Sequence, residues 1–321
     1  MTATTSVAIC SYNGSSYILE QLRSIELQSI TPDEVIICDD ASTDNTVEIL
    51  TKYIKKTELP VQLIRNVEQL GSTKNFEKAS SLCTSDIIFL SDQDDIWVSN
   101  KIEKFLRAFN QDAKVSYVFS NASLIDEKGG SIPGDLWKSV GFTKDMQMEY
   151  NNGNQLKLLL KRSFVTGGTM AFRKCLLIPI LPFHYKWIHD YWITIFFALM
   201  QKKGVALNET LILYRQHPEQ QIGLSLSFSD IFYKKIRKSN LNSLIEQLSG
   251  LKVLHRQFKL TNSNFGENLT LVKDKIEHLE SRVNIISSSG YKKSALLIKE
   301  VMTQRYRKYT NGIYSIFTDI F

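Results

Sequence analysis

Residues 87–97 read IIFLSDQDDIW. Four apolar residues, 87–90, form the short continuous run expected of a strand buried on both faces, and they lead directly into Ser91, Asp92, Gln93, Asp94 and Asp95. Three carboxylates delivered to one sheet edge repel one another and raise each other's pKa unless a cation neutralises them. Mg²⁺ or Mn²⁺ held with a diphosphate does this through oxygen ligands. Taken alone, the motif is better read as a solvated acidic turn.

Working outward, apolar runs at 7–10, 34–38 and 61–64 read as further buried strands. Helical spacing separates them. Ile18, Leu22 and Ile25 lie on one face of 15–27, a helix over 46–53 follows the capping residues Ser42, Thr43 and Asp44, and a third spans 73–82. Ser99 can cap a helix over 100–110, ahead of a strand at 115–119. The alternation predicts a mostly parallel sheet flanked by helices, in which ligands bind beyond the carboxyl ends of the strands. Polar residues after Cys10, Cys38 and Leu90 then converge on one crevice. Ser42 and Asp44 are explained as caps, but the adjacent Asp39 and Asp40 are not, and a nucleoside offers a base N–H and ribose hydroxyls to such a pair.

Farther along, 124–160 carries Gly129, Gly130, Pro133, Gly134 and Gly141 and reads as a loop-rich excursion near the site. Residues 164–172 read as a strand whose Gly167 and Gly168 let a ligand approach the backbone. A helix over 189–201 and a strand over 211–215 complete a catalytic domain of residues 1–222. Residues 223–321 read as a helical extension, with helices over 228–260, 268–283 and 291–309.

The 321 residues carry a net charge of +6, unevenly placed. Residues 1–220 hold 23 Lys and Arg against 25 Asp and Glu; residues 221–321 hold 16 against 8. Lys234, Lys235, Arg237 and Lys238 lie among Phe228, Ile231, Phe232 and Tyr233, a pattern that suits an anionic membrane surface and equally suits helical packing or self-association. No charged-then-apolar leader opens the sequence and no apolar run reaches about 20 residues, so a cytoplasmic protein, peripheral on the inner face of the membrane, is expected. Cys10, Cys38, Cys83 and Cys175 lack metal or redox spacing and read as free thiols.

Six ordered pieces, VAICSYNG at 7–14, EVIICDDASTDNT at 34–46, NVEQLGSTKNFEKA at 66–79, IIFLSDQDDIW at 87–97, HDYW at 189–192 and YRQH at 214–217, together resemble family 2 glycosyltransferases of the GT-A fold. The resemblance spans about residues 6–220 and implies an inverting, Mn²⁺- or Mg²⁺-dependent transfer of a sugar from a nucleoside diphosphate donor. It implies a base resting near Tyr12 and bonded to Asp39, with the ribose reached by Asp40 and Asp92. By the same resemblance Asp94 holds the metal, with Asp95 the weaker candidate, and His217 is a further ligand. Lys74 approaches the donor, Arg215 contacts the diphosphate, and Asp190 is the base that deprotonates the acceptor hydroxyl.

The chain departs from the family in having His189-Asp190 where Glu-Asp is common, and YRQH in place of a QxxRW element. The DQDD, HD and YRQH set looks most like bacterial rhamnosyltransferase-like members, which implies dTDP-rhamnose as donor and a lipid-linked or growing surface polysaccharide as acceptor, with no nucleic acid partner. Two other classes share the acids. A sugar nucleotidyltransferase needs a glycine- and lysine-rich loop after the first strand, where Ser11-Tyr12-Asn13-Gly14 has no lysine, and a non-catalytic scaffold leaves the acidic set unexplained.

Overall fold

A computed structural model describes residues 3–218, 220, 236–260 and 265–320, with backbone only for 236–240. The basic, apolar stretch at 228–238 therefore lies outside the residues whose side chains are described. The chain divides into two compact units, Met1–Gly153 with Phe164–Leu224, and Asn154–Ser163 with Ser225–Phe321.

The first unit is built on one sheet. β1 (Thr5–Ser11), β2 (Glu34–Asp39), β3 (Val61–Arg65) and β4 (Ile87–Ser91) alternate with α1 (Ile18–Glu26), α2 (Thr46–Ile54) and α3 (Ser72–Leu82). Short β5 (Ile96–Trp97), α4 (Lys101–Gln111), β6 (Val115–Ile125) and β7 (Ser131–Asp135) follow. Next come α5 (Leu136–Ser139) and α6 (Lys144–Asn151), then, in the second unit, α7 (Gln155–Lys161). The first unit closes with β8 (Met170–Arg173), α8 (Leu177–Ile180), α9 (His189–Leu199) and β9 (Lys203–Arg215).

The strand order is β3-β2-β1-β4-β8-β6-β9-β5, with β7 on β6. β1, β2, β3 and β4 pair in parallel, as does β6 with β9, whereas β8 inserts antiparallel between β4 and β6. Parallel strands need crossover helices, and the stripe of Ile18, Leu22 and Ile25 on α1 buries completely against Val7, Ile9, Val35 and Ile37. Register aligns Ser11 with Asp39 and Ile9 with Ser91, so three strands end together.

Two expected segments differ. Residues 124–160 are a hairpin followed by short helices, punctuated where Gly129, Gly134 and Gly141 take positive φ of 86°, 105° and 70°. Only Met170–Arg173 of the expected 164–172 strand pairs in the sheet, because Gly167–Thr169 form a single helical turn instead.

The second unit adds α10 (Ile236–Leu260), α11 (Gly266–Ser287), α12 (Gly290–Met302), α13 (Arg305–Tyr309) and α14 (Ile313–Ile320). Among the described residues no helix is long and apolar enough to cross a membrane. All four cysteines are free, and burial pushes the Cys38 and Cys83 thiols up to about 11 and about 12, which leaves them protonated and inert.

Candidate active site

The ends of β1, β2 and β4 bring the first acids to one edge. Asp39 is fully buried and accepts hydrogen bonds from Ser11 Oγ at 3.0 Å and the Ser42 amide at 2.9 Å. The turn that follows needs Ala41 at φ 62°, a left-handed conformation uncommon for alanine. Asp40 points the other way. Its carboxylate takes the side-chain amide of Asn66 and the backbone amides of Leu70 and Gly71 at 2.7–2.9 Å, so it shapes the loop ahead of α3. Tyr12 presents its ring at 41% exposure beside this pair. Gln93 holds the Tyr12 backbone from both sides, accepting from its N–H at 2.8 Å and donating to its C=O at 3.0 Å. The strand-end loops of β1 and β4 are thereby tied together. Lys74 instead pairs with Glu77 at 2.8 Å on α3.

The residues after β4 form a crowded acidic centre. Burial, reinforced by the charges of Asp94 and Asp190, pushes Asp92 up to about 7. Burial, with the charges of Asp94 and Asp92, raises Asp95 as well; its Oδ1 accepts the Arg215 amide at 3.1 Å, while its buried Oδ2 meets no protein partner. Burial raises the Tyr214 hydroxyl, with the charges of Asp95, Asp92, Asp94 and Asp190 adding to the shift, so all four acids act on one locality.

Arg215, expected as a diphosphate contact, turns its guanidinium into the protein. It is 1% exposed and donates inward: Nε to Asp94 O at 2.8 Å, Nη1 to Glu127 O at 3.1 Å and Asp126 O at 3.3 Å, and Nη2 to Glu20 at 2.5 Å. Its guanidinium also lies over the Tyr17 ring, 4.8 Å from the centroid. Every contact faces protein, so Arg215 holds the loop that carries the acids.

His217 reaches the acidic edge directly, with Nε2 2.8 Å from Asp94 Oδ2 and its ring tilted against Tyr17.

Asp190 enters from the opposite side, in the first turn of α9. Its Oδ2 accepts the Gly167 amide at 2.9 Å, and the next amide, that of Gly168, donates to Asp92. Two successive amides thus link Asp190 to Asp92. Burial nonetheless pushes Asp190 up to about 7, the Gly167 and Tyr191 amides offsetting only part of the shift. The turn is pinned from behind by Lys101, fully buried, whose Nζ donates to Gly168 O at 2.8 Å and lies 3.6 Å from the Trp97 ring centroid. A Cβ on Gly168 would come within 2.8 Å of Asp92 Oδ2 and 3.1 Å of Asp95 Oδ2, so a larger residue there would displace these carboxylates. Lys101 went unassigned in the sequence, although a lysine on the stripe shared with Phe105 and Ala108 signals a buried cation. His189 stacks on Phe76 at 3.9 Å, and burial lowers it to about 3, so it is neutral. Of the neighbouring aromatics, Trp187 and Trp192 are core, whereas Tyr185 is 71% exposed.

Among the described residues no three His, Cys, Asp or Glu side chains form a preformed metal cage. The donor set still fits Mg²⁺ or Mn²⁺, which are commonly held by one or two side chains together with substrate phosphates. Asp94 and His217 are such a pair, and Asp95 Oδ2 is a buried oxygen without a protein partner that a cation could satisfy.

The chain is similar to known glycosyltransferases in sequence and in fold. Similar chains include the dTDP-rhamnosyl transferase RfbG of Shigella flexneri, 25% identical over 68% of this chain and 75% of its own. A UDP-Glc:α-D-GlcNAc-diphosphoundecaprenol β-1,3-glucosyltransferase, WfgD of Escherichia coli, is 26% identical over 59% and 68%. Among solved structures, S. aureus TarS in complex with UDP-GlcNAc superposes with a TM-score of 0.56 at 15% identity, covering 95% of this chain and 81% of TarS. The mannosyltransferase PcManGT of Pyrobaculum calidifontis, in complex with GDP-Man and Mn²⁺, does so with 0.53 at 16%, covering 99% and 86%. These structural likenesses establish the GT-A fold. The model of the family described as "Glycosyl transferase family 2" matches residues 6–180, more than half of the sequence, and the chain therefore belongs to that family.

Proposed function

We propose that this chain is an inverting, metal-dependent glycosyltransferase that moves a sugar from a nucleoside diphosphate donor to a hydroxyl of a lipid-linked or growing surface polysaccharide. The observation that carries the reading is the pair of amides at Gly167 and Gly168, which sets Asp190 beside Asp92 and the acids around it. The nucleoside is read as lying over Tyr12 with its base toward Asp39. The loop shaped by Asp40 and Lys74 on α3 border the donor, and Asp92 faces the ribose. Asp94 and His217 would hold Mn²⁺ or Mg²⁺, which when bound supplies positive charge opposite the diphosphate.

Asp190 takes the proton from the acceptor hydroxyl as that oxygen bonds to the anomeric carbon. The bond to the diphosphate breaks on the opposite face, so the nucleoside diphosphate leaves and the anomeric configuration inverts. Burial raises Asp92 and Asp95 and lowers Lys101 beneath them, so their crowding is relieved by protonation until a cation and a diphosphate bind.

dTDP-rhamnose is the donor we favour, supported by the likeness to RfbG, and a lipid-linked acceptor is supported by the likeness to WfgD. We place the protein at the cytoplasmic face of the membrane, in peripheral contact with anionic lipid through its C-terminal helices. Titration calorimetry with dTDP, with and without Mn²⁺, tests the metal assignment. Asp94→Asn and His217→Ala should each weaken the metal-dependent affinity roughly tenfold or more, and leave metal-free binding unchanged. Equal loss with and without Mn²⁺ would remove both residues from the metal site.

A further inference from the structure

In the second unit, α12 and α14 are inside out. An ordinary surface helix turns its apolar stripe to the core. α14 buries Ser315 and Asp319 and leaves Ile313, Tyr314 and Phe317 exposed at 72%, 54% and 55%. On α12 the one buried side chain is Glu300, whereas Tyr291, Ile298 and Met302, spaced to share a face, are exposed at 89%, 62% and 79%.

The inversion is fixed by what lies beneath. Asp319 accepts both Nε and Nη2 of Arg282 on α11 at 2.7 Å and the Tyr306 hydroxyl at 2.6 Å. Glu300 lies 2.7 Å from His278 Nδ1, also on α11. Lys293 Nζ, near the start of α12, donates to Ile320 O at 2.5 Å and ties the two helices together. Bidentate pairing sets the rotation of α14 about its axis, so its apolar side faces away from α11.

The charge that these three helices themselves expose is basic, with Lys308 paired to Asp274 of α11 at 2.6 Å. Of the charged residues in α12–α14, the two acids, Glu300 and Asp319, are buried in these pairs, and every exposed one is basic: Lys292, Lys299, Arg307 and Lys308. Exposed apolar and aromatic groups bordered by Lys292, Lys299 and Arg307 fit the interface of an anionic bilayer, where apolar residues enter the acyl boundary and basic side chains meet phosphates. A second copy fits less well, because a two-fold contact would set these basic borders against each other.

We propose that the outward face of α12 and α14 is the surface by which this protein docks on anionic lipid. The proposal rests on the membrane contact put forward above and specifies where in the chain it is made. It locates that contact apart from the basic stretch at 228–238.

Flotation of the full chain with vesicles of phosphatidylglycerol mixed with phosphatidylcholine, against phosphatidylcholine alone, provides the test. Binding should require the anionic lipid and weaken as salt is raised. Ile313→Glu with Phe317→Glu, and separately Ile298→Glu with Met302→Glu, should each lower the partition constant on the order of a hundredfold. All four side chains are exposed, so thermal unfolding and donor binding should stay at the unsubstituted values. Anionic binding that survives both double variants would move the contact elsewhere in the chain and overturn this face alone. No binding to either vesicle would overturn both the face and the membrane reading, while leaving glycosyl transfer to be judged by its own assay. A dimer in sedimentation that the same variants dissociate, without vesicle binding, would assign the face to a second copy and overturn the proposal.

Discussion

Asp190→Asn should reduce the rate of transfer by about a hundred- to ten-thousandfold, the range a general base supplies, while the donor binds as before. The amide is the same shape as the carboxylate and its oxygen can still accept the Gly167 N–H, so the turn whose next amide meets Asp92 stays in place. Measuring single-turnover transfer beside calorimetric donor affinity separates the two effects. Near-normal turnover would remove Asp190 from the reaction.

The pH dependence has a defined sign. With Asp190 pushed up to about 7, the ionised base is a minority in acid, so transfer should climb as pH rises through about 7 and then level off. Stability moves the other way. Between 3.8 and about 7 the folded protein keeps a proton that the unfolded chain has released, so this group makes the fold less stable as pH climbs through that window. Asp190→Asn should reduce that decline in a melting series. Asp92 shifts in the same direction and leaves part of it.

How much of this was legible beforehand follows from the range of each interaction. The ends of β1, β2 and β4 could be located because a doubly buried strand is a short apolar run, and a parallel sheet aligns the ends of such runs. The antiparallel half could not. The β8 strand lies between β4 and β6 although Met170 follows the end of the nearer of them, Ile125, by 45 positions, and nothing local to Met170–Arg173 specifies either neighbour. Gly167 and Gly168 were readable as a place of close approach, yet what approaches is protein: Asp190, Asp92 and the ammonium of Lys101. In α14 the apolar residues carry an unambiguous helical pattern whose usual meaning is reversed. The reversal depends on Arg282, 37 residues away, taking Asp319 inward.

Arg215 is the residue for which sequence and geometry part most clearly, and its substitution should have the largest effect on the fold of the site. YRQH at the end of the last strand indicates a cation near the diphosphate but does not say which way it points. In the structure the guanidinium spans the carbonyls of Asp94, Asp126 and Glu127. Arg215→Ala would strand these acceptors, each costing about 1–3 kcal/mol if water cannot reach it, for a combined loss on the order of 3–5 kcal/mol. Glu20 adds little, because its side chain is 56% exposed and its pairing is screened. Glu20→Gln should accordingly change stability by less than about 1 kcal/mol. Arg215→Lys separates positioning from direct contact, since an ammonium is a competent phosphate ligand but cannot reproduce a planar fork that meets three carbonyls. A positioning Arg215 predicts that the lysine variant melts well below the unsubstituted protein and loses the Mn²⁺-dependent part of donor affinity, as the Asp94 loop loosens. A lysine variant with an unchanged melting temperature and weakened donor binding would return Arg215 to the diphosphate.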